Sequence, residues 1–269
     1  MHPLPNAAEP ALATAISTLG ANGFIPALQA FLARALAYDN ILILTYADTA
    51  RPRVLFRQSA NARVFAEIEQ TYLAGAYLLD PFHDLHLSHA PAGVYRLRDI
   101  APDQFARSRY FQSYYQATTL VDEMTFLAYP AHGVTLNLCV GRDNSSQTPF
   151  SAREVETAAR IAPIITALMT SHWAGLIPAR AHHAPDADPA PAARLIRAAR
   201  ARHGLALSPR QAEVALLILR GHSSPSIGLR LGLSPQTVKV FRKQLYRKCA
   251  ISSQAELFAL MLPLLKDQT

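Results

Sequence analysis

Residues 207–250 of the chain read LSPRQAEVALLILRGHSSPSIGLRLGLSPQTVKVFRKQLYRKCA. Ser208 and Ser234 are each followed by a proline, a pair of residues that commonly caps and begins a helix. Gly221 follows the first apolar run and is the residue type that most often ends a helix. A second, short helix is predicted between these two, so the stretch has a helix-turn-helix pattern.

The third helix of this stretch has one apolar face and one basic face. Apolar side chains at helical spacing predict that one face is buried, and they are Val238, Phe241, Leu245 and Cys249. The opposite face carries Gln236, Lys239, Val240, Lys243 and Arg247. A basic face is often only a solvated helix surface, but in a helix-turn-helix it is the kind of face that enters the DNA major groove.

The positive charge of the chain is concentrated around this stretch. The formal net charge is +7, yet residues 1–193 contain 13 Arg or Lys against 16 Asp or Glu. Residues 194–250 contain 12 basic residues and a single acid, Glu213. Such a module attracts a polyanion, either nucleic acid or an acidic membrane surface, and the helix-turn-helix pattern favours nucleic acid.

Segments 207–221, 232–239 and 252–257 resemble the DNA-binding domain of the LuxR family of bacterial regulators. The resemblance implies a four-helix module that dimerises through its last helix, at about residues 252–265. It also implies a homodimer that binds double-stranded DNA and can contact RNA polymerase. The side chains predicted at or near the DNA are Gln236, Thr237, Lys239, Val240, Arg242, Lys243, Arg247 and Lys248.

The first part of the chain, residues 1–177, predicts an α+β domain. Two hairpins are indicated by β-type runs at 40–47 with 53–56 and at 121–130 with 134–142. Helical patterns occupy 9–37, 61–76, 102–115 and 151–173, the last with a capping box. We predict an antiparallel sheet in an α/β/α arrangement, a Pro- and Ala-rich linker at 178–193 and an all-α DNA-binding domain at 194–269.

The sequence argues against two other kinds of regulatory domain for this first part. A phospho-receiver domain requires a lysine that contacts the phosphoryl group, and the chain has no lysine before Lys239. An ATP-driven regulator requires a glycine-rich loop that ends in Lys-Ser or Lys-Thr, and the sequence has none.

Residues 72–82 read YLAGAYLLDPF and, together with Tyr95, resemble the ligand-binding domain of quorum-sensing LuxR proteins. That resemblance implies that Tyr72, Tyr77, Asp80 and Tyr95 bind a small-molecule effector, although tyrosines stand near the places of the family's tryptophans. Asp80 could instead serve only as a helix cap. The domain could also be only a platform for dimerisation or protein contacts, and both alternatives remain open.

The other polar clusters predict no catalytic site, no cofactor and no metal site. The aromatic cluster interpreted as core consists of Tyr110, Phe111, Tyr114 and Tyr115. A three-residue spacing makes the side chains of His83, His86 and His89 drift around a helix, so we do not predict a metal centre there. No paired carboxylates, nucleophile elbow or zinc-protease motif is present, so no enzymatic activity is predicted.

Cysteine usage and the N-terminal sequence predict a cytoplasmic protein. Cys139 and Cys249 lie far apart in apolar runs, which argues against a structural disulfide and suits a reducing compartment. The first residues lack a basic start followed by an apolar core, and no apolar run is long enough for a membrane span.

Overall fold

An antiparallel sheet forms the centre of the first part of the chain in the computed structural model, which describes residues 7–48, 50–176 and 190–266. Its strands are β1 (Asn40–Ala47), β2 (Arg53–Ser59), β3 (Gly93–Arg96), β4 (Leu120–Ala131) and β5 (Val134–Asp143). They lie in the order β2-β1-β5-β4-β3, and every neighbouring pair is antiparallel. The predicted α+β fold on an antiparallel sheet is confirmed.

Helices cover one face of this sheet. The helices of the first part are α1 (Ala8–Ser17), α2 (Phe24–Ala35), α3 (Pro81–Leu87), α4 (Leu97–Ile100), α5 (Arg109–Ser113) and α6 (Ala152–His172). Helices α1, α2 and α6 share one apolar core with the sheet, into which β4 directs Met124, Phe126 and Ala128. Because successive side chains of a strand point to opposite faces, the residues between these belong to the other face.

The other face of the sheet is covered by α3, α5 and a series of short turns. Strand β4 contributes Leu127 to this side and β1 contributes Leu44 and Tyr46. The same apolar cluster continues without a break into the C-terminal part of the chain. The sheet is therefore the middle layer of three.

The segments predicted as single helices at 61–76 and 102–115 consist instead of short turns. The first contains Ala62–Phe65, Ile68–Tyr72 and Ala76–Leu79, and the second contains Phe105–Arg107, α5 and Tyr115–Thr118. Gly75 interrupts the first segment with a φ of 154°, a value that side chains disfavour. The helical spacing nevertheless marks buried positions, because Val64, Ile68, Tyr72 and Ala76 are all buried.

The C-terminal part is all-α, as predicted. Its helices are α7 (Pro191–His203), α8 (Pro209–Arg220), α9 (Ser224–Leu231), α10 (Pro235–Lys248) and α11 (Gln254–Lys266). Ser208 caps α8 and Ser234 caps α10, each by accepting a hydrogen bond from the backbone N–H three residues later. Most of the predicted linker, residues 178–189, lies outside the described residues, and α7 begins within its last part.

Helix α11 packs within the chain. Its apolar residues Leu257, Met261 and Leu264 are fully buried, and the helix contacts α7 and α8 as well as α5 and the Ala76–Leu79 turn of the first part. Dimerisation through this helix stays a prediction. In the described part of the chain, no helix has the length and apolarity that a bilayer span requires.

Gly221 lies where the two parts of the chain meet. It ends α8 with a φ of 97°, and its carbonyl accepts a hydrogen bond of 2.9 Å from the N–H of Gln104. A Cβ at this position would lie 2.8 Å from Cα of Phe105. Gly232 ends α9 with a φ of 64°, but a Cβ there would have no neighbour within 4 Å.

We expect Gly221→Ala to destabilise the full chain more than Gly232→Ala. Both substitutions place alanine in a left-handed conformation, at about 1–2 kcal/mol. Only Gly221→Ala also forces the Phe105 backbone to move, which adds about 1 kcal/mol or more. Urea unfolding of the two variants measures the difference, and equal losses would contradict the close packing at Phe105.

Candidate DNA-binding face and ligand cavity

Helix α10 presents the predicted basic face to solvent. Val238 and Leu245 are fully buried and hold the helix against the rest of the module. The residues on the exposed side are Gln236, Lys239, Val240, Lys243 and Arg247. A helix that is anchored on one side and basic on the other can lie in a major groove while the module keeps its fold.

Three other predicted DNA-binding residues also have contacts within the module. The Thr237 hydroxyl lies 2.7 Å from that of Ser234, and the Arg242 guanidinium lies 5.2 Å from the ring centre of Tyr246. Lys248 donates hydrogen bonds to the Ala206 carbonyl at 2.7 Å and to Gln211 Oε1 at 3.0 Å. Lys248 therefore ties α10 to the start of α8, a structural role that the sequence did not indicate.

The few acids of the module do not oppose the basic face of α10. Within residues 190–266 they are Glu213, which pairs with Arg210 on α8, and Glu256, which accepts hydrogen bonds from Ser252 and Ser253 at the start of α11. Both carboxylates are occupied on other helices. The field around α10 therefore remains positive.

A cavity lies between the sheet and the turns on its second face. The enclosed space measures about 40 Å³, and about 520 Å³ when the space around the lining side chains and the opening to solvent are included. Apolar walls come from Leu42, Leu44, Val64 and Ile68. The polar side chains that line it include Tyr46, Tyr72, Asp80, Tyr110, Tyr114, Tyr115 and Glu123. Apolar walls with a few convergent polar groups are typical of small-molecule sites.

Asp80 both caps a helix and faces this cavity. Its Oδ1 accepts a 2.8 Å hydrogen bond from the Phe82 N–H, which caps α3, and its Oδ2 accepts a 2.7 Å bond from the Tyr72 hydroxyl. The Tyr72 hydroxyl also lies 2.7 Å from that of Tyr46. Burial raises the pKa of Asp80 to about 6, against the lowering effect of these two donors. The two interpretations of Asp80 are therefore compatible.

Glu123 is the polar cavity residue that sequence reasoning missed. It lies on β4 and accepts a 3.2 Å hydrogen bond from the Tyr115 hydroxyl. Burial, followed by the neighbouring charges of Asp80 and Asp122, raises the pKa of Glu123 to about 8. The Cys139 thiol on β5 also faces it. The sequence did contain a signal for this residue. Glu123 is an acid within an apolar strand, and it lies on the face opposite Met124 and Phe126.

The tyrosines are divided between the cavity and the surrounding packing. Tyr110 and Tyr114, interpreted as core residues, are buried but also line the cavity. Of the predicted ligand residues, Tyr72 does so and Tyr77 and Tyr95 do not. Tyr77 packs against the His83 ring, and Tyr95 lies on the edge strand β3 with its hydroxyl bonded to the Pro91 carbonyl.

His83 and His86 are buried, and both ring nitrogens of His86 have hydrogen-bond partners. His86 Nδ1 lies 2.6 Å from the Thr135 hydroxyl and Nε2 lies 2.7 Å from the Asp48 carbonyl. Burial, with a smaller effect of the Arg220 charge, lowers the pKa of His83 well below its usual value. Among the described residues, no group of three His, Cys, Asp or Glu side chains could hold a metal ion.

An ion-pair cluster joins the cavity wall to the helix-turn-helix. Asp84, one turn after Asp80 on α3, contacts Arg220 at 2.7 Å and Arg230 at 2.8 Å. Arg220 also donates a 3.0 Å hydrogen bond to the Leu78 carbonyl. Helix α3 thus carries a cavity residue at its start and, one turn later, the carboxylate that binds two arginines of the C-terminal part.

The C-terminal module is similar to a known bacterial family. The family model described as "Bacterial regulatory proteins, luxR family" matches residues 205–261. The "Putative HTH-type transcriptional regulator in exeN 3'region" of Aeromonas salmonicida is 31% identical over 184 residues. This similarity covers 68% of the chain and 93% of that relative, so it is not confined to the matched module.

The first part of the chain shares its fold with a solved structure. The VqsR LBD domain from Pseudomonas aeruginosa matches with a TM-score of 0.53 at 22% identity, over 63% of this chain and 98% of that one. SdiA of Escherichia coli matches over 88% of this chain and 90% of that one, with a TM-score of 0.38 at 17% identity.

We expect Glu123→Gln to stabilise the chain at high pH but not at low pH. A carboxyl whose pKa is raised in the folded state contributes full stability below its unfolded pKa of 4.5, and this contribution is lost as the pH rises through about 8. Each unit of pKa displacement corresponds to about 1.4 kcal/mol. Between pH 5 and pH 9, the advantage of the variant over wild type should grow by at least about 1 kcal/mol.

Urea unfolding at pH 5, 7 and 9 measures this effect. Glu156→Gln is the matched control, because Glu156 is exposed on α6 and should give the wild-type pH dependence. If the free energies of unfolding of wild type and Glu123→Gln changed with pH in parallel, the burial of a carboxyl at this position would be contradicted.

Proposed function

This chain belongs to the LuxR family of bacterial regulatory proteins, and we propose that it controls transcription in response to a small molecule bound beside Asp80. DNA binding and transcription regulation follow from the family. The proposal adds a small-molecule effector. The observation that supports it is the cavity on the second face of the sheet, a largely apolar space into which several buried polar side chains converge.

For the DNA, we propose that α10 enters the major groove through its exposed face. Lys239 and Lys243 are exposed, basic and one helical turn apart, so they can reach the same stretch of groove. Gln236 and Val240 complete the surface that can contact base edges, and Arg247 is placed to contact phosphates. Two modules of a homodimer would occupy adjacent half-sites.

For the effector, we propose that Asp80 is the polar anchor. Its carboxyl is already held by Tyr72 and the Phe82 N–H, so its orientation is determined before any ligand arrives. A carboxylate has acceptor capacity beyond two hydrogen bonds, which leaves room for a donor from the ligand. The apolar walls would enclose the remainder of the molecule.

Helix α3 is the element through which we propose that the cavity and the DNA-binding module are coupled. A ligand that moves Asp80 also moves Asp84, because both belong to one short helix and its cap. Asp84 holds Arg220 and Arg230, so the position of α3 sets how firmly the module is held. Ligand binding would shift the equilibrium between chains whose DNA-binding module is held by Asp84 and chains whose module is released. The size of this shift depends on the difference in the ligand's affinity for the two states.

Replacing Lys239 and Lys243 by alanine should weaken DNA binding by at least about tenfold without unfolding the chain. The target is the operator that the wild-type chain selects from random DNA, and binding is measured at several salt concentrations. The dependence of log K on log salt should become shallower by roughly one unit for each lysine that contacts a phosphate. An unchanged affinity for the operator would exclude the exposed face of α10 as the DNA-binding surface.

The control for net charge is the double variant Arg34→Ala, Arg153→Ala. Both arginines are exposed in the first part of the chain, on α2 and α6. This variant loses the same charge as the lysine variant. Its operator affinity should stay close to that of wild type.

At least one small amphiphilic amide should raise the melting temperature of the full chain. The panel contains octanoyl-homoserine lactone, N-propyloctanamide and N-(2-aminoethyl)octanamide. A compound at 100 times its Kd stabilises by about 2.7 kcal/mol, or a shift of roughly 5 °C or more. The shift should be lost in Asp80→Asn and kept in Asp99→Asn, because Asp99 is exposed on α4.

No shift with any compound, in a chain that remains folded, would exclude the sensor function for this chemistry. The first part would then be a platform for dimerisation or protein contacts. A shift that survives in Asp80→Asn would keep the sensor but exclude Asp80 as its anchor.

A further inference from the structure

We propose that the effector carries a protonated amine that binds between Asp80 and Glu123, attached to an apolar chain. This inference rests on the proposed function, because it names the chemical class of the ligand for the same cavity. Its starting point is that the cavity contains two carboxyl groups, one from the cap of α3 and one from β4. Among the described residues that line it there is no arginine, lysine or histidine.

Glu123 has unused acceptor capacity. In the described part of the chain its carboxyl accepts a single side-chain hydrogen bond, from the Tyr115 hydroxyl at 3.2 Å. An ionised carboxylate offers about four acceptor positions, and a buried one is costly unless donors or a cation compensate it. A donor-rich cation would supply what the protein does not.

The neighbouring acid, Asp122, is a carboxylate that protein side chains neutralise. Asp122 points to the other side of β4, where Arg96 binds both of its oxygens, Arg98 lies 3.6 Å away and the Phe150 N–H donates at 3.0 Å. Among the described residues, Glu123, the next one along β4, has no arginine partner. The buried Arg220 is held by Asp84 and the Leu78 carbonyl.

Two tyrosine hydroxyls provide an independent indication of a ligand. Tyr110 is 2% exposed and Tyr114 is 8% exposed, and both line the cavity. Within the described residues, neither hydroxyl makes a hydrogen bond, whereas Tyr46, Tyr72 and Tyr115 all do. A hydroxyl that borders a cavity and has no protein partner is available to a bound molecule.

An ammonium group matches this set of partners. It carries three N–H donors and no acceptor, so it can bind two carboxylates and a hydroxyl oxygen at once. Its charge compensates the carboxylates when they ionise, which a neutral amide or a polyol cannot do.

The apolar walls define the rest of the molecule. Leu42 and Leu44 of β1 lie on one side of the cavity, and Val64 and Ile68 of the turns lie on the other. These side chains suit an aliphatic or aromatic tail. The ligand class is therefore an amphiphilic amine, in contrast to a fully polar polyamine.

The test compares two probes that differ only in the cation. N-(2-aminoethyl)octanamide carries an ammonium group, and N-propyloctanamide has a methyl group in its place. Titration calorimetry with the full chain at pH 7.5 should show that the amine binds at least about tenfold more tightly, as expected for a charge-assisted hydrogen bond. Octanoyl-glycerol, a neutral diol with the same tail, should bind no better than N-propyloctanamide.

Variants at Glu123 separate the amine interaction from general binding. Glu123→Gln keeps the size of the side chain but removes its charge, so it should abolish the tenfold preference for the amine. Glu123→Asp should restore part of the preference. Glu156→Gln should retain all of it.

The possible outcomes are distinct for the two proposals. Equal binding of the amine and the neutral amide, or tighter binding of the diol, would overturn the amine inference while the sensor function stands. A preference for the amine that survives in Glu123→Gln would overturn the role of Glu123. Absence of binding by every probe would overturn the inference together with the proposed function.

Discussion

Both faces of the central antiparallel sheet carry buried side chains, so each face needs its own covering layer. Strand β4 shows the constraint most directly, because Met124, Phe126 and Ala128 pack against helices while the alternate residues Glu123, Thr125 and Leu127 point the other way. The first layer consists of α1, α2 and α6. The second layer is irregular and continues into the C-terminal module, and this irregularity leaves space for a cavity.

In the second layer, the carboxylates of Asp80 and Asp84 have different kinds of partners. Asp80 is satisfied locally by a backbone N–H and a hydroxyl, whereas Asp84 is satisfied by two arginines that lie more than a hundred residues further along the chain. Removing Asp84 would leave Arg220, a nearly buried cation, without its charge partner, and this is costlier than the loss of an exposed ion pair. Helix α3, with its cap Asp80 and with Asp84, therefore links the cavity to the C-terminal module through these interactions.

Sequence reasoning was most accurate where structure depends on neighbouring residues. The caps at Ser151, Ser208 and Ser234 and the cap at Asp80 form the hydrogen bonds that their positions predict. It was least accurate in segments 61–79 and 102–118, where the residues have the spacing of helices but must bend around the cavity. Glu123 was missed for a related reason: its strand was recognised, but which residues lie opposite it depends on the turns.

By itself, the sequence determined the helix-turn-helix, its basic face, the two hairpins and the family to which the chain is similar. These features are encoded by local spacing, by capping residues and by the position of charges along single helices. Only the tertiary structure decided that Tyr77 and Tyr95 lie outside the cavity, that Tyr110, Tyr114 and Glu123 line it, and that Asp84 binds Arg220 and Arg230. Such contacts join residues that are distant in the chain, and they form only when the packing of both sheet faces brings those residues together.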